Sequence, residues 1–188
     1  MENFEECDPS ECKDSDGNWT KWVRERMTAE QEPIFEQVVS ALPGMNLGHL
    51  SENHILRFCD SLQWVYSDII DYITKAEEVR SQMDCRIFRQ GEFDEIIAMN
   101  AFNVTGAMDK VGRPIYILRI ENFDPTQISE QQLVRFFCWQ LDKIAVQMKP
   151  NVDQYIMVYD FNNAGYANFS VNHAKVLMPF LQTVFCHR

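Results

Sequence analysis

The 188-residue chain contains no Cys-x-x-Cys, no His-Glu-x-x-His, no Gly-x-Ser-x-Gly and no Gly-x-Gly-x-x-Gly after a strand. Zinc ribbons, thioredoxin-type pairs, zincin and hydrolase motifs and dinucleotide folds are therefore absent as starting points for catalysis. The reading is of a non-enzymatic protein with no cofactor and no metal. Apolar runs are short, and the longest, such as the one around YIMVYDF, falls far below the ~18 residues that span a bilayer. Seven glycines and seven prolines are few for this length, which excludes collagen-like and low-complexity chains. The six cysteines, at 7, 12, 59, 85, 138 and 186, are too sparse for a disulfide scaffold. Basic residues are outnumbered, 17 against 28 acidic, and the net charge of -11 repels polyanions, so no nucleic-acid partner is expected. The N-terminus has neither a basic n-region nor an apolar h-region and is not a secretory signal. These absences together point to a cytoplasmic protein with reduced thiols whose contact with membranes is peripheral.

What is present begins with charge. Residues 1–27 read as an acidic disordered tail, since Glu2, Glu5, Glu6, Asp8, Glu11, Asp14 and Asp16 face a single base, Lys13, in the first 20 residues. A helical subdomain is expected over 28–89. Thr28-x-x-Gln31 has capping-box spacing, Ile34, Val38 and Leu42 recur every four residues, and Pro43-Gly44 ends the helix. A second helix is expected from Ser51, and a third carries Tyr66, Ile69, Ile70, Ile73, Ala76 and Arg80 on one stripe. A short helical stretch through Phe93, Ile96 and Ile97 leads into the turn Asp109–Pro114. Ile115–Ile120 then reads as a strand, and Ser129-x-x-Gln132 caps a helix through Leu133, Phe136, Phe137, Leu141, Ile144, Ala145 and Met148. Tyr155–Phe161 has the nearly continuous apolar run of a parallel strand covered on both faces. Strand, helix and strand make a right-handed βαβ unit, and a last helix from Ser170 carries Ala174, Leu177, Leu181 and Phe185.

These pieces resemble the CRAL-TRIO family of intracellular lipid-binding and lipid-exchange proteins, whose members include phosphatidylinositol-, tocopherol- and retinaldehyde-binding proteins. Asp109, Lys110, Gly112, Arg113, Pro114 and Tyr116 match its Asp-Lys-x-Gly-Arg-Pro-Val-Tyr turn and first strand. Leu56-Arg57-Phe58 and Arg80 match its N-terminal helical region, and Asp160 with Gly165 resembles the end of its second strand, at a step one residue longer. LQTVFCHR is similar to its Tyr-Tyr-Pro-Glu-Arg segment, with Cys186 and His187 in place of Pro and Glu. The family's further strands and mobile gate helix have no counterpart in this sequence, so phosphatidylinositol selectivity is not carried over.

The expected fold class is therefore α/β: a helical N-terminal subdomain (28–89), then a partial, mostly parallel βαβα CRAL-TRIO-like domain (90–188), truncated at its C-terminal side. The resemblance implies non-catalytic binding of a phospholipid or other hydrophobic small molecule, for exchange or presentation at a transiently contacted membrane. Lipid transport is the expected process. The lining residues it implies are Tyr116, Leu118, Leu141, Ala145, Tyr155, Met157 and Tyr159. Read from the residues alone, this Tyr- and Met-bearing strand face is plain core rather than a cavity wall; it is the resemblance that turns it towards lipid. Asp109, Gly112, Arg113, Pro114, Asp160 and Gly165 form a structural motif: Gly112 supplies a turn, Pro114 stiffens strand entry, Arg113 can pair with Asp109, and Asp160 suits an Asx-turn. An open sheet edge and apolar surface near the C-terminal end are expected, with self-association through them. The competing reading is a truncated family member acting as an interaction or regulatory module without lipid transfer.

Overall fold

A computed structural model describes residues 27–48, 50, 52–110, 112–147 and 154–185. The acidic tail and Met148 lie outside the described residues, as does the side chain of Ala145. By its backbone contacts the chain divides into two units, the first reaching Glu77 and the second beginning at Glu78.

In the first unit, α1 (Glu32–Ala41) runs into a 3-10 turn at Leu42–Met45, and α2 (Glu52–Ser61) leads to α3 (Tyr66–Gln82). The four-residue recurrence resolves into buried Val38 and Leu42, joined by Phe35. From α2 come buried Ile55, Leu56, Phe58 and Cys59, and from α3 buried Ile69, Ile73 and Ala76. Phe58 anchors a ring cluster, stacked on His54 at 5.2 Å and tilted on Tyr72 at 5.9 Å. The capping box expected at Thr28 is half made. Gln31 Oε1 accepts the Thr28 amide at 2.9 Å, but Gln31 itself is the N-cap and the helix starts at Glu32 with Pro33 in its first turn. Proline lacks an N–H, and at this position none is needed.

The second unit takes the last turn of α3, α4 (Asp94–Ala98), β1 (Phe102–Met108), β2 (Pro114–Arg119), α5 (Glu130–Gln147), β3 (Ile156–Asp160) and α6 (Val171–Val184). Residues 78–89, expected with the helical subdomain, group here. The reason is chemical: Arg80 makes two 2.8 Å hydrogen bonds to the Asp142 carboxylate on α5 and lies over the Phe185 ring at 5.0 Å. Arg135 of α5 donates to Glu92 at 2.6 Å and to the Ile87 carbonyl at 3.0 Å, and pairs with Asp84.

The Glu92 carboxyl is held below the ordinary carboxylate range, first by its hydrogen bond from Arg135, with the Arg89 amide and the charges of Arg135 and Arg89 adding to it against burial. A depressed folded value means stability that is present above the unfolded value near 4.5 and is lost as pH falls through the folded one. Replacing Glu92 by Gln should therefore flatten the acid limb of melting temperature against pH, read from pH ~7 to ~3, and leave its slope near neutrality unchanged.

Strand order is β1-β2-β3, with β1 antiparallel and β3 parallel to β2. Parallel adjacency of the two expected strands holds, with register Ile115↔Ile156 to Arg119↔Asp160. The sheet expected to be mostly parallel is mixed, because β1 adds an antiparallel edge beside β2. Gly106 at φ 71 and a register shift between Val104 and Met108 break the alternation of β1 after Thr105, so this edge strand carries little period-2 signal. The Ser129 capping box is complete: its amide donates to Gln132 Oε1 at 2.8 Å, and Ser129 Oγ accepts the Gln132 amide at 3.2 Å. Ser170 caps α6 by accepting the His173 amide.

The core of this unit is aromatic. Phe136 of α5 is sealed from solvent and meets Phe93 at 5.6 Å, Phe102 at 5.2 Å and Trp139 at 5.9 Å. Coverage of β3 on both faces does not hold. It is an edge of the three-stranded sheet, with Val158 and Tyr159 exposed and Phe161 exposed just beyond it. Tyr166, Phe169, Val171, Val176 and Met178 add further exposed apolar surface on the segment that follows.

Candidate ligand-binding site

Register and alternation sort the sheet into two faces. Opposite Tyr116 stand Val104 on β1 and Met157 on β3, and opposite Leu118 stand Phe102 and Tyr159. Pleating puts these two rungs on one face, with Tyr155, two residues before Met157, on the same side. Ile115, Ile117, Ile156 and Val158 point the other way, and none of them joins the core cluster.

The first face is the one that α5 packs against. Phe137 meets Tyr116 edge-on at 6.4 Å and Phe102 at 5.2 Å, and Leu141 is fully buried in the same cluster. Burial falls from β2 towards the free edge. Tyr116 is 0% exposed and Leu118 is buried, Tyr155 and Met157 are half-buried against the core, and Tyr159 is 50% exposed. Of the expected lining residues, six thus share one face or its covering helix, while the side chain of Ala145 lies outside the description.

Among these residues one polar atom stands out. The Tyr116 hydroxyl is buried and has no hydrogen-bond partner among the described residues. Burial pushes its ionisation far above the ordinary phenol value, with Tyr155 and Tyr159 adding to the shift, so it remains a protonated donor at any physiological pH. Burial also raises Tyr159. An orphaned hydroxyl of this kind costs about 1–3 kcal/mol, and native interiors seldom keep one unless something else meets it.

The turn before β2 is self-contained. The Asp109 carboxylate accepts the Arg113 amide at 2.8 Å and Arg113 Nε at 2.7 Å, and Gly112 adopts φ 90, a left-handed value that suits glycine. Pro114 is the first, buried residue of β2, where its missing N–H is tolerated. At the end of β3, Asp160 Oδ1 accepts the Asn162 amide at 3.0 Å in an Asx-turn, and the Gly165 amide donates to Asn168 Oδ1 at 2.9 Å.

Sequence reading passed over three positions that hold this end together. Asn168 donates to the carbonyls of Glu121 and Phe123 at 2.8 and 3.0 Å. His173 lies buried between Ser170 Oγ and the Ile128 carbonyl. Asp142 pairs with Arg80 across 62 residues of sequence, which no local pattern reveals. Among the described residues no cluster of three or more His, Cys, Asp or Glu could hold a metal, and no helix is long and apolar enough to cross a membrane.

Comparison with known proteins adds one finding. The family model of the CRAL/TRIO domain matches residues 98–188, which takes in β1, the Asp109–Pro114 turn and every strand of the sheet. No curated protein matches the chain.

Proposed function

Because residues 98–188 match the CRAL/TRIO domain, we propose that the chain binds one phospholipid or similar acyl-bearing molecule without covalent chemistry, for exchange at membrane surfaces. The ligand lies on the α5-facing side of the sheet and reaches it over the β3 edge. Tyr159 and Met157 meet it first, and Tyr155, Leu118 and Leu141 flank its path. At the inner end the Tyr116 hydroxyl donates a hydrogen bond to an ester, phosphate or carbonyl oxygen. The observation that carries this reading is that hydroxyl, sealed from water and unpartnered among the described residues. A lipid oxygen supplies the missing acceptor, and the graded opening from Tyr116 to Tyr159 supplies a way in.

Affinity comes from apolar area at about 25 cal/mol per Å², so burial of acyl carbon sets its strength while the single donor fixes orientation. Met157 suits such a surface because its unbranched thioether adapts to flexible chains.

Mass spectrometry of organic extracts from gently purified protein tests the reading. Wild type should carry about one lipid per chain, and Met157→Asp should lose it, since a carboxylate beside acyl carbon is strongly disfavoured. Helical content by circular dichroism should be the same in both. Absence of lipid above a blank in wild type would overturn the proposal in favour of an interaction module without a lipid ligand.

A further inference from the structure

Apolar side chains that the ligand site does not use stand exposed between the end of β3 and the middle of α6. Tyr166 is fully exposed, and Phe169, Val171 and Met178 are each at least half exposed. Exposed apolar residues scattered singly need no explanation, but these adjoin one another. Phe169 and Val171 line one open groove together with Pro125 and Ala167. Val171, Lys175 and Met178 then follow at i, i+4 and i+7 on the outward stripe of α6, opposite the buried His173, Phe180 and Val184.

The backbone beneath them is pinned. Asn168 donates to the carbonyls of Glu121 and Phe123, and the His173 ring bridges Ser170 Oγ and the Ile128 carbonyl. Tyr166, Phe169 and Val171 are thus carried on a fixed base that keeps them turned outwards.

Charge is distributed to match. All 28 acidic residues of this -11 chain precede Phe161, and Lys175 is the one charged group on the outward stripe of α6. The carboxylates on the flanking loops are engaged locally: Asp124 accepts from Thr126 and Gln127, and Glu121 accepts from Asn163.

Resting on the reading of lipid exchange at membranes, we propose that Tyr166, Phe169, Val171 and Met178 are the surface that docks on a phospholipid bilayer, by apolar insertion into its interface. A fully exposed tyrosine beside an open groove makes an uneven surface. A protein partner would have to match that relief, whereas the fluid headgroup region conforms to it. Tyrosine and phenylalanine suit the boundary between headgroups and acyl chains, and Lys175 can lay its stem along the apolar stripe while its ammonium reaches lipid phosphate. The remainder of the chain is acidic, so an anionic membrane repels it and a zwitterionic one is favoured.

Flotation of the full chain with phosphatidylcholine vesicles, with and without phosphatidylserine, tests the docking surface. Wild type should float with phosphatidylcholine vesicles, less well once phosphatidylserine is added, and its binding should change less than ~2-fold between low and high salt. Phe169→Asp and Met178→Asp should each lower partitioning at least ~10-fold. Ile87→Asp alters an apolar residue that is 75% exposed on the turn after α3, and should leave partitioning unchanged. Circular dichroism checks the fold of each variant. Should one misfold, Tyr166→Trp decides alone: its added fluorescence should be quenched by phosphatidylcholine brominated on its acyl chains.

No flotation, an equal loss in Ile87→Asp, or binding that needs phosphatidylserine and disappears with salt would overturn the proposal. So would a dimer in sedimentation that Phe169→Asp and Met178→Asp dissolve while vesicles stay bare, which would assign the surface to a second copy. Cargo is measured separately, by mass spectrometry. Wild type that carries lipid but ignores vesicles overturns the docking surface alone, and wild type that docks without carrying lipid overturns the cargo reading alone.

Discussion

Replacing Tyr116 by Phe is expected to raise the melting temperature of lipid-free protein by about 2–8 °C and, at the same time, to weaken lipid binding about 5- to 30-fold. The two effects have one origin. In the lipid-free chain the hydroxyl is buried with no partner among the described residues, and its removal relieves about 1–2 kcal/mol of unmet desolvation. In the loaded chain the same removal strands an acceptor oxygen of the ligand. Phenylalanine keeps the ring and its edge-on contact with Phe137, so packing changes little. A substitution that acted only on the core would shift both measurements in the same direction. Melting curves with and without delipidation, beside a titration with fluorescent lipid, separate the cases.

A second substitution should act with the opposite balance. Phe136→Ala removes a fully buried ring that touches Phe93, Phe102, Phe137 and Trp139. Loss of its transfer energy together with the cavity left behind should cost about 3–5 kcal/mol. Against a domain stability of about 5–15 kcal/mol, this leaves the second unit marginal at 37 °C. Urea unfolding followed by tryptophan fluorescence should show a lowered midpoint with little change in slope, as Trp139 lies in the same cluster. Lipid binding should disappear with folding and return where added lipid restores it. That coupling distinguishes a scaffold residue from Tyr116, whose replacement leaves the fold more stable.

Legibility in the sequence followed the range of the interactions involved. Elements specified by neighbours in sequence were readable: the Ser129 box, the 3.6-residue stripe of α5, the Asp109–Pro114 turn and the β-branched and aromatic run of β2 all appear where their local chemistry places them. β1 is hard to read because its alternation, Phe102 and Val104 against Asn103 and Thr105, lasts only four residues before Gly106 and the register shift end it, and its strand character comes from pairing with β2. The apolar run of β3 suggested a strand buried on both faces, but composition reports what a strand can cover and says nothing of what covers it. The structure leaves it at an edge.

The shared face of Tyr116, Leu118, Met157 and Tyr159 follows from strand parity once the parallel register is known. What parity could not show is the gradient of burial across that face, or that the Tyr116 hydroxyl lies orphaned at its closed end. Long-range ion pairs behaved likewise. Arg80 lies on the apolar stripe of α3 because the Asp142 carboxylate and the Phe185 ring, both distant in sequence, meet its guanidinium.

The most direct test of where the ligand lies is photo-crosslinking with a phosphatidylcholine that carries a diazirine on one acyl chain, mapped to single residues by tandem mass spectrometry. The binding face proposed here predicts label on Tyr155, Met157 and Tyr159 of the β3 side and on Leu118 or Leu141 behind them, reduced in Met157→Asp. Label confined to Ile115, Ile117, Ile156 and Val158 on the opposite face, or to the exposed Tyr166–Met178 segment, would contradict it.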